Sequence, residues 1–201
     1  MAYKFAFIID PIENMLVDKD TTFVFMLEAH ARGHAIYSVG LRDIYSRASQ
    51  TFVRARRVEV ARATPHYKFV DDGAEYAIEA FDAVFMRKDP PADDVYVFAT
   101  MQLALADRRR TFVLNEPAGL LQANEKLYAL NFPDLIPPTL VTYEIRRLRE
   151  FMVEQGGEMI VKPLDGHGGE GVFLVHAADR NLGAILETVT NYERRPIMAQ
   201  R

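Results

Sequence analysis

Three short apolar runs in this chain stop in the same way, at polar residues followed closely by proline, and this repetition most narrows the folds open to it. Tyr3 to Ile9 ends in Asp10-Pro11, Ala83 to Met86 ends in Arg87-Lys88-Asp89-Pro90-Pro91, and Thr111 to Leu114 ends in Asn115-Glu116-Pro117. Proline has no N–H to give to a ladder, and a short apolar run bounded by turn signals reads as a buried strand. Between the first run and the next strand, His34 to Val39, Asp20 or Thr21 can cap a helix. In it Phe23, Met26, Leu27, His30 and Ala31 recur at helical spacing before Gly33, which places His30 on the buried face. Strand, helix and strand within about forty residues make a βαβ unit, whose strands are parallel.

The same alternation continues. Thr51 to Ala63 changes the parity of its apolar positions between Val53, Ala55 and Val58, Val60, which predicts a bulged or edge strand. Tyr67 to Val70 reads as a short strand, and Val95, Phe98, Met101, Gln102 and Leu105 keep helical spacing after Asp93-Asp94. Near residue 120 the pattern changes: a helix starts at Asn124, prolines punctuate Phe132 to Pro138, and a helix over Glu144 to Gln155 closes at Gly156-Gly157. Strands are expected at Met159 to Lys162, Val172 to His176 and from Ile197, with a helix near Leu182 to Val189. The expected fold is α/β: an open, mostly parallel sheet over residues 1–122, then a second domain over 123–201. The few elements after 123 also predict that the chain is a fragment or a truncated product.

The 201 residues are 49% hydrophobic, ample for a core, so a disordered chain is excluded. With 24 basic against 28 acidic side chains, the net charge of −4 disfavours nucleic acid as a partner. Arg54, Arg56, Arg57 and Arg108 to Arg110 accordingly read as solvated faces. There is no cysteine, which removes disulfides, thiolate zinc sites and cysteine nucleophiles. His30, His34, His66, His167 and His176 show no metal-ligand spacing. No apolar run approaches the ~20 residues of a membrane span, and the start lacks a secretory pattern; a soluble, cytoplasmic protein with no membrane partner is expected.

Two constellations carry chemistry. In a parallel sheet the three proline-stopped ends share the carboxyl edge, where open α/β sheets bind ligands. There Arg87 offers a planar fork for a carboxylate or phosphate, and Asp10 and Asp89 can receive an ammonium, which together suit a zwitterionic substrate. The second is VKPLDGHGGEGVFLV, Val161 to Val175, where Gly166, Gly168, Gly169 and Gly171 lie between two strand-like runs. Such glycines let backbone N–H groups approach an anion. The segment lacks the Gly-Lys-Ser/Thr ending of a P-loop and leads into a strand, so a hairpin lid over phosphates is expected, with Lys162 reaching the same anion. Lys126 lies in the first turn of the helix capped by Asn124, where a cation is disfavoured unless an anion is near.

With DPI at Asp10 to Ile12, KDTTF at Lys19 to Phe23, MRKDPP at Met86 to Pro91, NEKL at Asn124 to Leu127 and VKPLDGHGG at Val161 to Gly169, the whole chain resembles prokaryotic glutathione synthetase, an ATP-grasp ligase family. The resemblance implies a substrate-binding domain followed by the first part of an ATP-grasp domain. It also implies ATP-dependent ligation of glycine to γ-glutamylcysteine through an acyl phosphate, with Mg2+ as cofactor and a homotetramer as the complete assembly. By motif, Lys126 and Lys162 are the nucleotide-contacting lysines, Gly166, Gly168, Gly169 and Gly171 form the lid, and Gln200 begins the adenine hinge. The family's magnesium ligands lie beyond the matched region, so this chain alone is expected to have little ligase activity. Another ATP-grasp carboxylate–amine ligase, and a non-catalytic nucleotide- or peptide-binding module, are the competing expectations.

Overall fold

In the computed structural model, which describes residues 1–166 and 168–201, the chain divides into two compact units, Met1–Gln122 and Ala123–Arg201. The first unit runs β1 (Lys4–Ile8), α1 (Thr21–Ala31), β2 (Ala35–Val39), β3 (Ile44–Arg47), β4 (Gln50–Val60), β5 (Tyr67–Phe69), β6 (Ala74–Ala77), β7 (Ala83–Met86), α2 (Asp94–Leu103), β8 (Phe112–Leu114) and α3 (Pro117–Gln122). Its sheet has the order β3-β4-β2-β1-β7-β8, with β5 and β6 also paired to β4. The four strands β2, β1, β7 and β8 are parallel, and β4 joins β2 antiparallel.

Helices cover both faces of that parallel core. Phe7, Ile9 and Ile36 pack with Phe23, Met26 and Ala29 of α1, while Ala6, Ile8, Val84 and Met86 pack with Ala99 and Leu103 of α2. Successive strand residues point to opposite faces, so an unbroken apolar run such as Phe5 to Ile9 requires a helix on each side. Asp20 caps α1 by accepting from the N–H groups of Thr22 and Phe23 at 2.6 and 3.3 Å.

Two expectations change. His30 is exposed, because α1 buries Thr22, Phe23, Met26 and Ala29 instead. The stripe Val95, Phe98, Met101 and Leu105 faces outward, each at least 44% exposed, while α2 sits on the sheet through Ala99, Thr100 and Leu103. Small residues bring that helix close to the strands, so the larger apolar side chains stay outside.

The parity change in β4 also finds its cause. Val53 and Ala55 belong to the core under α2, and Val58 and Val60 belong to the core under α1. Between them Arg56 and Arg57 are both exposed, so the alternation slips by one as the strand passes from β3 and β6 to β2 and β5. β4 is therefore an interior strand with four partners and not an edge.

The second unit contains α4 (Glu125–Tyr128), β9 (Thr139–Thr142), α5 (Ile145–Glu154), β10 (Glu158–Pro163), β11 (Phe173–His176), α6 (Leu182–Val189) and β12 (Ile197–Gln200). Its antiparallel sheet has the order β11-β10-β12-β9. One face is sealed by Leu148, Phe151 and Met152 of α5 and Leu182 and Leu186 of α6 against Met159, Val161, Val175, Ile197 and Ala199. Burial of each such side chain stabilises by about 1.5–3 kcal/mol. Because β10 alternates, Lys162 stands on the face opposite Met159 and Val161.

Candidate functional site

The carboxyl ends of β1 and β7 meet, as the parallel pairing of Phe5–Ile8 with Ala83–Met86 requires. Asp10 Oδ1 pairs with Lys88 Nζ at 3.0 Å, and its Oδ2 accepts from the Asp89 N–H at 3.2 Å. Lys88 also donates to the Asp89 carbonyl. Its side chain is only 16% exposed, so the pairing with Asp10 offsets an ammonium largely removed from water. Lys88 is thus the cation Asp10 serves, a partner within MRKDPP that charge alone did not single out.

Arg87 turns away from Asp10. Its Nε donates to Thr22 Oγ1 at 3.0 Å and its Nη2 to Thr21 Oγ1 at 2.9 Å, which ties MRKDPP to KDTTF. Two clefts adjoin this edge. The smaller, about 330 Å³, is lined by Lys19, Thr21, Arg87 and Asp89; the larger, about 800 Å³, by Arg42, Arg54, Arg56, Asp72 and Lys88, with Asp10 facing both. The third proline-stopped end does not join them: Glu116 instead accepts from Arg108 at 2.7 Å. Arg54 and Arg56 are solvent-exposed, as expected, and they also line the larger cleft, because the long β4 carries them to the wall beside the sheet edge.

In the second unit, Lys126 Nζ donates to the Gly166 carbonyl at 2.6 Å, and Asn124, which caps α4, donates to the Leu164 carbonyl at 3.2 Å. The helix has four residues, too short for a strong macrodipole, and the lysine is held instead by a carbonyl of the glycine loop. Lys162 Nζ donates to Gln200 Oε1 at 2.6 Å, and Gln200 Nε2 donates to Thr139 Oγ1 at 2.8 Å. Gln200 is the last residue of β12, and its register opposite Ile160 sets it diagonally beside Lys162. Neither Lys126 nor Lys162 has a carboxylate partner among the described residues. An ammonium has three donors, so each keeps two after its neutral contact.

The connection from β10 to β11 is a hairpin, since the two strands pair antiparallel. A Cβ on Gly166 would lie 2.8 Å from Pro163 Cγ and 3.1 Å from the Glu170 carbonyl oxygen. Gly168, Gly169 and Gly171 have φ of +59°, +85° and +70°. His167, in the middle of this loop, lies outside the described residues. Asp165, just before it, forms an ion pair with Arg195.

A sequence profile of the N-terminal domain of prokaryotic glutathione synthetase matches residues 3–120, and one of the ATP-grasp domain of prokaryotic glutathione synthetase matches residues 125–201. This chain belongs to the prokaryotic glutathione synthetase family. Glutathione synthetase of Nitrosomonas europaea is 40% identical over an alignment of 201 positions that covers 98% of this chain and 62% of that protein. The chain thus spans about three fifths of the length of the curated relatives it matches. Among solved structures, D-cycloserine synthetase DcsG aligns with a TM-score of 0.63 at 16% identity, covering 98% of this chain and 58% of that one. A RimK domain ATP-grasp protein from Sphaerobacter thermophilus aligns at 0.57 and 19%, covering 98% and 63%. These two establish the ATP-grasp fold. Among the described residues no three His, Asp or Glu side chains cluster to hold a metal. No helix among them is long and apolar enough to cross a membrane.

Proposed function

We propose that this chain supplies the dipeptide-binding and first nucleotide-binding parts of a cytoplasmic, homo-oligomeric ligase that joins glycine to γ-glutamylcysteine at the expense of ATP. The observation that carries the reading is the pair of half-buried, uncompensated lysines, Lys126 and Lys162, beside one glycine hairpin in a chain of this family. In the reaction the cysteinyl carboxylate attacks the γ-phosphorus and ADP leaves. The glycine amine then attacks the acyl phosphate carbon, phosphate leaves and the amine loses a proton. Both steps gather negative charge on oxygens, and donors aimed there before the reaction provide most of what a protein contributes. Lys126 and Lys162 offer four free N–H donors for phosphoryl oxygens, and the loop Gly166 to Gly171 excludes the water that would hydrolyse the acyl phosphate. Asp10, Arg87 and Asp89, at the carboxyl edge of the first unit, would orient the dipeptide.

Calorimetry of the chain with ATP and with γ-glutamylcysteine tests this. Binding of both is expected, with ATP binding lost when Lys126 and Lys162 are both replaced. Binding of neither, or ATP binding indifferent to both lysines, would refute the reading. Binding of a different amino acid or dipeptide in place of γ-glutamylcysteine would move the assignment to another carboxylate–amine ligase.

A further inference from the structure

The larger cleft holds cations of unequal standing. Lys88 is neutralised by Asp10. Arg56 has neither a side-chain hydrogen bond nor a carboxylate partner among the described residues, yet it is held in place. Its guanidinium carbon lies 3.3 Å from the centroid of the Phe69 ring, and its stem crosses Gly73 so closely that a Cβ there would sit 2.8 Å from Arg56 Cγ. Stacking on one face leaves the edge of the guanidinium, where its five donors lie, free for a planar anion. Arg54, two residues earlier on β4, points to the same side, and its Nη2 contacts the Asp72 carbonyl at 3.4 Å. Arg42 also lines the cleft, but among the described residues no stacking or hydrogen bond fixes it.

A positioned guanidinium pair with no carboxylate partner among the described residues, beside an aspartate, matches an α-amino-acid head, whose carboxylate and ammonium leave the same carbon. The geometry points to Arg54 and Arg56 as the residues that bind the α-carboxylate of the γ-glutamyl end of the dipeptide, with Asp72 beside them for its ammonium. This rests on the dipeptide reading above and makes it specific: recognition of the γ-glutamyl head lies on β4, in the cleft that Asp10 and Lys88 at the ends of β1 and β7 also line.

Calorimetry with three probes tests the assignment: γ-glutamylcysteine, 4-aminobutanoylcysteine, which lacks only the α-carboxylate, and ATP. Arg56→Lys keeps the charge but loses the fork and the stack, and should weaken γ-glutamylcysteine about tenfold; Arg54→Ala with Arg56→Ala should weaken it about a hundredfold. Wild type should bind 4-aminobutanoylcysteine as weakly as the double variant binds γ-glutamylcysteine, and neither substitution should change that weak binding or the affinity for ATP. Thermal unfolding of each variant checks folding, and Arg56→Lys serves if the double variant fails to fold. If wild type binds γ-glutamylcysteine and both variants match it, or if Arg42→Ala alone abolishes binding, this assignment fails while the dipeptide reading stands. If the wild-type chain binds ATP but not γ-glutamylcysteine, both fail. If the variants lose ATP to the same degree, the cleft is a general anion site and the assignment is overturned.

Discussion

Replacing Gly166 by alanine tests whether the glycine hairpin is shaped by close packing or merely by backbone freedom. The added Cβ would meet Pro163 Cγ at 2.8 Å, about 0.7 Å inside the ~3.5 Å of a favourable carbon contact. Neither neighbour yields easily. Pro163 is fixed in β10 opposite Ile197, and the second contact, at 3.1 Å, is the backbone oxygen of Glu170. Overpacking of this kind costs about 1–3 kcal/mol. In a unit the size of Ala123–Arg201, each ~1 kcal/mol lowers Tm by about 4–8 °C, so a fall of about 4–24 °C is expected if the strain is retained. If the loop opens to relieve it, the Gly166 carbonyl leaves Lys126, and amide exchange quickens at Leu164 to Gly166 and Gly168 to Gly171. Gly168→Ala is the comparison: its Cβ would meet nothing within 4 Å, and only the φ of +59° is unfavourable, by about 1–2 kcal/mol. Calorimetric unfolding and hydrogen exchange of both variants provide the readout. A Gly166→Ala protein with wild-type Tm and wild-type exchange, or one less perturbed than Gly168→Ala, would refute the packing argument.

Lys162→Met should weaken ATP binding about tenfold to a hundredfold by removing a charged donor, measured with a fluorescent ATP analogue, while leaving γ-glutamylcysteine binding unchanged. Gly73→Ala, at φ +88° and against the Arg56 stem, should lift Arg56 from Phe69 and weaken γ-glutamylcysteine as Arg56→Lys does; retention of wild-type affinity would show that the stacking is irrelevant. Leu148→Ala, at a fully buried position of α5, should destabilise the second unit by about 2–5 kcal/mol in denaturant unfolding. Hydrogen bonds from Arg109 hold the Asp107 carboxyl down at about 2, from the usual 3.8. A carboxyl depressed on folding contributes stability that is present above pH ~4 and is lost as pH falls through about 2. An NMR titration of Asp107 should show this midpoint, and Arg109→Ala should return it towards 3.8.

Much of the element pattern was legible because it rests on local rules. The run Ala83–Met86 and the helix Leu182–Val189 have the bounds their residues suggest, and the caps at Asp20, Asp93 and Asn124 follow from side chains that accept backbone N–H groups two or three positions on. The strand Thr139–Thr142 is not legible in the sequence because four residues between prolines and a helix carry too little periodicity. β3 and β6 were hidden for the same reason: each is four residues long and depends on β4 for its pairing.

At the site, the division is similar. That acidic and basic residues gather at strand ends, and that glycines crowd one hairpin, was settled by the chain itself, since proline and glycine act through their own steric limits. Which charges meet was decided only in three dimensions. Asp10 and Lys88 are brought together by β1–β7 pairing, Arg87 is drawn to Thr21 and Thr22, and Arg56 is set over Phe69 by the slip in β4. A charge pattern along the sequence says nothing about register, and register between distant strands depends on how two cores are filled at once.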